Sequence, residues 1–513
     1  MKVSLSRLGT WFFFLACIII LALSVRGKAG IPDIATLNTT AWTDAGPFEL
    51  SNERGRFALT YSVLEENSLH FSLPVARFAL PDLGIKDGNY VSLFAPGVSY
   101  IVIPGYLIGK ALGATQVGTF FLISLFAAAN AALIAAIVRR MSGSKPAALL
   151  SALSFLFASP AFAYAVSLYQ HHISTFLLLA AIYALMRWRS LWSLALIWLL
   201  YATAVVVDYP NAFFMMPVAI YGLLRFVRVR SLQRKIELII RPAALLTLLA
   251  VILPIGLFLT FNDLSYGDPF QLSGTVERVT QIDADGQPIG TVAGLEHANL
   301  DDTPAEEKQA ITFFQTRNLM NGFYTHFLSP ERGMLVFAPV LLLGILGWVV
   351  YYRQRHPFLP LIVAVAGINV LLYSLWGDPY GGWAFGSRYM VPTYAMLAIG
   401  LGGLFMLSRF RLYFLMAFLI LFVFSVGINA LGALTSSSNP PTAELLASER
   451  GFVKVSYDRN IVYLQDKGTK SFLYGTAFAG RLTPTEYYAL VTSLVLLLAT
   501  VPMIQLIRLR NTR

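Results

Sequence analysis

Apolar segments of nearly membrane-spanning length recur along the whole of this sequence and constrain its fold more than any other feature. The first covers residues 8 to 25, and twelve more follow it. About 20 consecutive apolar residues suffice for an α-helix to cross the hydrocarbon core of a bilayer. The pattern therefore predicts an all-α polytopic membrane protein and excludes disordered, collagen-like and coiled-coil chains. The later segments begin near Phe94, Val117, Pro146, His172, Leu191, Tyr209, Pro242, Met334, Pro357, Arg388, Leu412 and Glu486.

The composition agrees with this class of protein. Hydrophobic residues make up 57% of the 513 residues and charged residues only 13%, whereas a soluble chain keeps about a quarter of its residues charged. The single cysteine, Cys17, lies within the first apolar segment. The sequence therefore offers neither a disulfide framework nor a cysteine metal site. We expect no soluble cofactor and predict no metal ligands, and a divalent metal ion has no support in the sequence.

Clusters of basic residues orient the predicted helices, because short loops rich in Lys and Arg stay on the cytoplasmic side. If residues 94–113 crossed the bilayer, all of these clusters would face outward. That segment contains Pro96 and Pro104 among several glycines, which favours a juxtamembrane or re-entrant segment. We therefore expect about twelve transmembrane helices in the inner (plasma) membrane, with both termini cytoplasmic. The clusters are Arg139, Arg140 and Lys145; Arg187 and Arg189; Arg225, Arg228, Arg230, Arg234, Lys235 and Arg241; Arg353 and Arg355; Arg409 and Arg411; and Arg508, Arg510 and Arg513.

The net charge of +11 would also suit a protein that binds nucleic acid. In the predicted topology, however, about half of the 38 Lys and Arg residues lie on cytoplasmic segments that hold a single carboxylate, Glu237. The positive charge thus follows from membrane orientation, and no soluble segment carries a basic and aromatic stripe. We expect the lipid bilayer as a partner and no nucleic acid.

The long first outer loop, residues 26–116, carries motifs that resemble those of a known family. It contains Asn52-Glu53-Arg54-Gly55-Arg56-Phe57, then Asp87-Gly88-Asn89-Tyr90, then Ala95-Pro96-Gly97. This order is similar to the first periplasmic loop of GT-C glycosyltransferases, which include protein mannosyltransferases, aminoarabinose transferases and the bacterial RgtA/B/C/D-like enzymes. The resemblance implies a GT-C-like fold in which this loop contains juxtamembrane helices. It also implies that Glu53 is the catalytic carboxylate, although Asn52 replaces the family's usual Asp.

The chemistry of sugar transfer gives these residue types a role. Transfer from a polyprenyl phosphate needs a base that takes the acceptor hydroxyl proton and cations that hold the departing phosphate. Glu53 is the first candidate for the base and Asp82 the second, while Arg56 is a candidate substrate contact. Each carboxylate has a plain alternative, because Glu53 can be a solvated loop acid at the start of a helix and Asp82 a turn residue.

Two later segments resemble further elements of the same group. Residues 328–333 include Arg332, a candidate for the phosphate clamp. Residues 376–389 hold four glycines among several aromatic residues. In this segment Tyr380 and Trp383 are candidate contacts for the sugar or the prenyl chain, and Arg388 is a candidate contact for the phosphate. The alternative is an aromatic belt with a snorkelling arginine at the membrane surface.

Three other features lie on the predicted outer face. His171 and His172 are candidate acceptor contacts or ordinary interfacial histidines, and a metal site lacks further ligands at suitable spacing. GT-C enzymes often carry a second acidic residue at this turn, which the sequence lacks. Asp208 is interpreted as the end of a helix. Alternating apolar residues within residues 451–470 indicate a small outer hairpin.

The sequence therefore predicts a membrane glycosyltransferase that moves a sugar from a polyprenyl-phosphate donor to an envelope glycan, lipid or protein on the outer membrane face. A flippase for lipid-linked sugars, another transporter and a non-catalytic scaffold are the alternatives. The predicted spans nearly lack the charged residues that ion-coupled transport requires. Residues 1–434 form the expected catalytic module, with a second large outer loop at 261–333. Residues 435–485 form an outer loop or small cap, and residues 486–513 form the last helix and a basic tail.

Overall fold

A computed structural model describes residues 5–44, 46–232, 235–292, 314–407, 411–440 and 456–508, and α-helices make up most of these ranges. The helices are α1 (Leu5–Ser24), α2 (Ile34–Leu37), α3 (Ser51–Tyr61), α4 (Leu73–Ala79), α5 (Gly97–Ile101), α6 (Ile103–Ala111), α7 (Thr115–Ser142), α8 (Lys145–Phe157), α9 (Ala161–Ala165), α10 (His171–Arg187), α11 (Leu191–Val207), α12 (Asn211–Phe214), α13 (Met216–Leu224), α14 (Pro242–Leu246), α15 (Ile252–Tyr266), α16 (Leu319–Phe327), α17 (Met334–Phe337), α18 (Pro339–Arg353), α19 (Leu359–Ser374), α20 (Val391–Leu404), α21 (Arg411–Leu434), α22 (Asp458–Asp466) and α23 (Pro484–Arg508). The strands are β1 (Leu83–Lys86), β2 (Asn89–Ser92), β3 (Val227–Leu232), β4 (Lys235–Ile240), β5 (Glu277–Ile282) and β6 (Pro288–Val292).

Four helical stretches of the described residues are long and apolar enough to cross a membrane: Thr115–Ser142, Pro242–Tyr266, Leu412–Leu434 and Pro484–Arg508. Seven shorter apolar helices accompany them within the same ranges. The chain is thus a helical, multi-pass membrane protein, as its apolar pattern predicts. The number of about twelve transmembrane helices and the cytoplasmic position of the termini stay predictions. The shorter helices are Gly9–Ser24, Lys145–Phe157, His171–Arg187, Leu191–Val207, Asn211–Leu224, Pro339–Arg353 and Leu359–Ser374.

The ambiguous apolar stretch at residues 94–113 forms two short helices, α5 and α6, instead of one long helix. Pro104 occupies the first turn of α6, where its missing N–H costs no hydrogen bond. Glycines let α6 approach α7 closely, because a Cβ atom on Gly105 would lie 2.6 Å from the carbonyl oxygen of Gly118. At about 1.5 Å per residue, neither α5 nor α6 is long enough to cross a bilayer.

A four-stranded antiparallel sheet joins the first and second large outer loops, which the all-α expectation did not include. Its strand order is β2-β1-β5-β6, and Leu83 of β1 pairs with Val279 of β5. The β1–β2 hairpin turns at Asp87 and Gly88, which have φ angles of 48° and 77°. Leu83 and Val279 are fully buried on one face of the sheet, and Val91, which pairs with Gly84, is fully buried on the other. The sheet therefore fixes the position of the first loop, and a second sheet consists of β3 and β4.

Helix α20 lies at the centre of the helical bundle, where all of its residues are buried. Glycine pairs bring α18 into close contact with it: a Cβ atom on Gly347 would collide with the carbonyl group of Gly400, and one on Gly344 with the backbone of Leu397. Close packing through small residues is typical of membrane helices. Because α20 begins just after Arg388, this packing also holds that side chain in a defined position.

The outer segment before α23 differs from the hairpin predicted at residues 451–470. Residues 451–455 lie outside the described residues, and Asp458–Asp466 forms helix α22, so the hairpin prediction is wrong for that part. Asn460 on α22 donates hydrogen bonds to the Thr435 hydroxyl group and to the Ser436 carbonyl group. Asn460 and Leu464, one turn apart, are buried. The helix is therefore docked against the end of α21.

Candidate active site

Glu53 lies in the first turn of α3 and is fully buried. The helix can pack this closely because residue 55 is glycine, whose Cβ position lies 2.6 Å from the Phe94 ring. Neither carboxylate oxygen of Glu53 has a hydrogen-bond partner among the described residues. Burial, with a smaller contribution from Glu49, raises the pKa of Glu53 to about 8. Glu53 is thus not a solvated loop acid, and a buried carboxyl group with a raised pKa is typical of functional sites.

Glu49, four residues before Glu53 and outside α3, has the opposite environment. Its carboxylate lies 3.0 Å from an Arg26 nitrogen and 2.6 Å from the Lys470 nitrogen, and it accepts hydrogen bonds from the Ser436 hydroxyl and the Ser437 N–H. Although burial acts in the other direction, Lys470 and Arg26 lower the pKa of Glu49. Two neighbouring acids therefore differ in charge state, as acids with separate roles in an enzyme site often do.

Two arginines converge on the Tyr169 ring. The guanidinium carbon of Arg388 lies 5.5 Å from the ring centroid and that of Arg56 lies 5.9 Å from it. The Tyr169 hydroxyl has no hydrogen-bond partner in the described part of the chain. Burial and the charge of Glu53 raise the pKa of Tyr169 well above its ordinary value. The charges of Glu53 and of both arginines therefore all affect the pKa of the same buried phenol.

His171 completes this group, which we name the Tyr169 cluster: Glu53, Arg56, Tyr169, His171 and Arg388. The His171 ring stacks on Tyr169 with centroids 5.8 Å apart. Its Nε2 atom is buried and has no hydrogen-bond partner within the described ranges. The structure thus brings four of the predicted site residues together around a tyrosine whose role the sequence did not indicate.

Arg388 belongs to a rigid glycine-rich loop at residues 376–389. Gly381 has a φ angle of 73°, and its Cβ position lies 3.2 Å from Arg388 Nε, so a larger residue there would be strained and would crowd the arginine. Asp378 accepts hydrogen bonds from the N–H groups of Tyr380 and Gly382. These contacts fix the loop backbone beside the Tyr169 cluster.

Arg332, predicted for the phosphate clamp, holds this same loop. Its buried guanidinium group donates hydrogen bonds to the carbonyl oxygens of Tyr380, Gly382 and Asn439 at 3.2, 3.0 and 2.8 Å. A further bond reaches the carbonyl of Glu331. Because its N–H groups donate to these backbone carbonyls, Arg332 affects the site in this structure by holding the loop in place.

Four other predicted site residues are not part of the Tyr169 cluster. Asp82 forms an ion pair with Arg278 at 2.6 Å and accepts a hydrogen bond from Ser51. His172 contacts Asn130 and the Ala161 carbonyl through its two ring nitrogens and packs inside the bundle. The Tyr380 hydroxyl contacts Asn321, and Trp383 is 43% exposed on a separate polar cavity.

Asp208 is a candidate residue that the sequence interpretation missed. Gln170 accepts a hydrogen bond from Arg56 at 2.7 Å and donates one to Asp208 at 3.3 Å. Burial raises the pKa of Asp208 to about 6, although Arg56 opposes the shift. The signal available in the sequence was a lone acid at the end of an apolar helix, which also fits a helix end without function.

Two cavities flank this region. One, of about 490 Å³, is apolar and lies between α5, α11 and α15, with Val207 at the residue before Asp208. The other, of about 580 Å³, is polar and includes Glu49 and Lys470 in its wall. Among the described residues, no group of three His, Cys, Asp or Glu side chains could hold a metal ion.

Neither a family model nor a curated protein matches this chain. Two crystal structures of ArnT from Cupriavidus metallidurans are similar to it, one in the apo state and one bound to undecaprenyl phosphate. The apo structure has 12% identity and a TM-score of 0.46, and the match covers 98% of this chain and 77% of ArnT. The bound structure has 11% identity and a TM-score of 0.45, with 97% and 76% coverage.

This chain is similar to ArnT. At this identity and TM-score the likeness assigns no residue role to this chain. The roles proposed below come from the geometry of its own residues.

Proposed function

We propose that this protein is a membrane glycosyltransferase that moves a sugar from a polyprenyl-phosphate donor to an acceptor on the outer membrane face. The environment of Glu53 carries the proposal. Its carboxylate is fully buried and has no hydrogen-bond partner among the described residues. Its charge raises the pKa of Tyr169, and two arginines lie beside the ring of this tyrosine. A buried base beside a cationic site is the combination that transfer from a lipid phosphate requires.

The proposed reaction is a direct displacement at the anomeric carbon. The acceptor oxygen forms a bond to this carbon while the bond to the phosphate oxygen breaks, and the phosphate leaves with the electron pair. Glu53 takes the proton of the acceptor hydroxyl. Arg388 and Arg56 stabilise the negative charge on the leaving phosphate, because arginine presents a planar set of donors that suits phosphate oxygens. Displacement from the opposite side inverts the configuration at this carbon.

The apolar cavity provides a place for the lipid chain of the donor. Its wall includes Pro96, Tyr100, Val207, Leu257, Phe258 and Phe261. Val207 precedes Asp208, which connects through Gln170 to Arg56, so the cavity begins beside the Tyr169 cluster. A prenyl chain in this cavity would leave its phosphate next to the arginines.

The polar residues within the helices do not favour a flippase. Asn130 donates a hydrogen bond to the His172 carbonyl, Asn369 accepts one from Thr393, and Asn429 donates to the Phe337 carbonyl. Each amide therefore connects neighbouring segments of the bundle. A path for a sugar headgroup across the membrane would need polar groups that face a common channel.

Sugar transfer by the purified full-length protein tests the proposal. Undecaprenyl-phosphate-linked hexoses and pentoses serve as donors, and release of undecaprenyl phosphate measures turnover. We expect Glu53→Gln to lower kcat by about 10²- to 10⁴-fold, the usual contribution of a general base. The matched control is Glu486→Gln, because Glu486 is an exposed acid that caps α23 and glutamine can fill the same capping role. Full activity of Glu53→Gln, or movement of donor across vesicles without sugar transfer, would contradict the proposal.

A further inference from the structure

The polar cavity is formed by four segments that are far apart in the sequence. The first loop contributes Asp44 and Glu49, and the glycine-rich loop contributes Trp383. The segment after α21 contributes Ser436, Ser438 and Asn439, and α22 with the residues after it closes the remaining side. Its volume of about 580 Å³ is large enough for a ligand of two or more sugar rings. The Tyr169 cluster and the apolar cavity do not contribute to its wall, which makes it a separate site.

Trp383 presents an exposed indole on a rigid backbone in this cavity. The side chain is 43% exposed, whereas the neighbouring Ala384 is buried and donates a backbone hydrogen bond to Asn439 at 2.9 Å. The adjacent Gly382 is held at both ends: its carbonyl accepts a hydrogen bond from Arg332, and its N–H donates one to Asp378. An exposed aromatic ring that is fixed in this way provides a flat surface for the apolar face of a sugar ring.

The rest of the wall carries hydrogen-bonding groups of both charge signs. Tyr463 lies between Lys467 and Lys470, whose nitrogens are 5.6 and 5.5 Å from its ring centroid. Asn439 and Asn460 are oriented by a mutual hydrogen bond of 2.8 Å. The remaining lining acids are Asp44, Asp458 and Asp466, and the remaining lining bases include Arg459.

These charges nearly balance. Glu49 is neutralised by Arg26 and Lys470, and the other acids lie among Arg459 and Lys467. The wall therefore has no strong field that would select an anion or a cation. Neutral hydroxyl groups, which both donate and accept hydrogen bonds, match this mixture of carboxylates, amides and ammonium groups.

We infer that this cavity binds the acceptor and that the acceptor is a neutral glycan, with Trp383 as the stacking surface. The inference rests on the proposed function. Glu49 in the cavity wall precedes Glu53 by four residues, and the charges of Glu49 and of Lys470 in the same wall affect the pKa of Glu53. Glu53 is thus coupled electrostatically both to Glu49 and Lys470 in the cavity wall and to Tyr169 beside the two arginines. In this proposal the acceptor hydroxyl approaches Glu53 from the side of Glu49.

Binding to an array of neutral and anionic envelope oligosaccharides tests this inference without any donor. The full-length protein in detergent is compared with Trp383→Ala, and Trp192→Ala is the matched control because Trp192 is 85% exposed at the start of α11. We expect at least one neutral oligosaccharide to bind, with affinity about tenfold lower for Trp383→Ala and unchanged for Trp192→Ala. Tyr463→Ala, on the facing helix, should also weaken the same binding. Binding of undecaprenyl phosphate, measured in parallel, should be equal in all four proteins and shows that the variants are folded.

Three results would overturn the inference: no neutral oligosaccharide binds, only anionic ones bind, or Trp383→Ala and Tyr463→Ala bind as the wild type does. Failure of the proposed function has a different signature. In that case Glu53→Gln would keep full transfer activity while the glycan still binds at Trp383, and the cavity would be a glycan site without the proposed chemistry.

Discussion

The guanidinium carbon of Arg388 lies 5.5 Å from the centroid of the Tyr169 ring, although more than 200 residues separate them. The contact joins the glycine-rich loop before α20 to the turn before α10. Arg56 from α3 lies near the same ring, and the charge of Glu53 raises the pKa of the Tyr169 hydroxyl. An acid from the first loop and a cation from a late loop are thereby brought to one buried location.

Replacing Arg388 should weaken binding of the lipid phosphate. We expect Arg388→Ala to lower the affinity for undecaprenyl phosphate about 10- to 100-fold, because a hydrogen bond to a charged group contributes about 1.5–3 kcal/mol. Arg481→Ala, which removes an exposed arginine from the loop before α23, should bind as the wild type does. Equal affinities of the two variants, measured by titration in detergent, would remove Arg388 from the phosphate site.

Glu49 should tune the basicity of Glu53. The charge of Glu49 raises the pKa of Glu53, whereas Arg26 and Lys470 lower it. Glu49→Gln removes the effect of Glu49 and keeps those of Arg26 and Lys470, so the pKa of Glu53 should fall. The measurement is the midpoint of the rise of kcat/KM with pH. If Glu49 has only a structural role, the activity will fall in this variant while the midpoint stays unchanged.

The raised pKa of Glu53 should also appear in the stability of the protein. The unfolded chain loses this proton near pH 4.5, whereas the folded chain keeps it until about pH 8. The wild type should therefore lose about 2–3 kcal/mol of unfolding free energy between pH 6 and pH 8 relative to Glu53→Gln, which cannot ionise. Melting temperatures in detergent across this range provide the comparison. Parallel curves for the two proteins would mean that Glu53 titrates normally.

The apolar cavity should distinguish donors by the length of their lipid chain. Thr203 lines this cavity, and its hydroxyl donates a hydrogen bond to the Leu199 carbonyl within its own helix. Thr203→Trp should raise KM about tenfold for an undecaprenyl-phosphate donor and leave KM unchanged for a geranyl-phosphate donor. Leu248→Trp, at an exposed apolar position outside the cavity, is the control. The same change in KM for both chain lengths would contradict this assignment of the cavity.

Part of this site could be predicted from the sequence: the resemblance of the first outer loop to a known family pointed to Glu53, and the glycine-rich segment at residues 376–389 pointed to Arg388. Glu53, Arg56, His171 and Arg388, four of the predicted site residues, meet in the structure. Their roles in catalysis and binding stay predictions.

The rest depended on tertiary contacts that local patterns do not encode. Leu83 pairs with Val279 across nearly 200 residues, and no period within either segment indicates its partner. Arg332 looked like a phosphate ligand, yet three backbone carbonyls of distant residues engage it. Residues 458–466 form helix α22, which docks through Asn460. This tertiary contact outweighs the weak alternation of apolar residues that suggested a strand.

The pH dependence of sugar transfer tests the role of Glu53 most directly. With undecaprenyl-phosphate-sugar as donor, kcat/KM of the wild type should rise with pH through a midpoint near 8, because only the ionised carboxylate accepts a proton. Any residual activity of Glu53→Gln should lack this rise. A wild-type profile that is flat between pH 6.5 and 9, or an unchanged rise in Glu53→Gln, would contradict the assignment of Glu53 as the base.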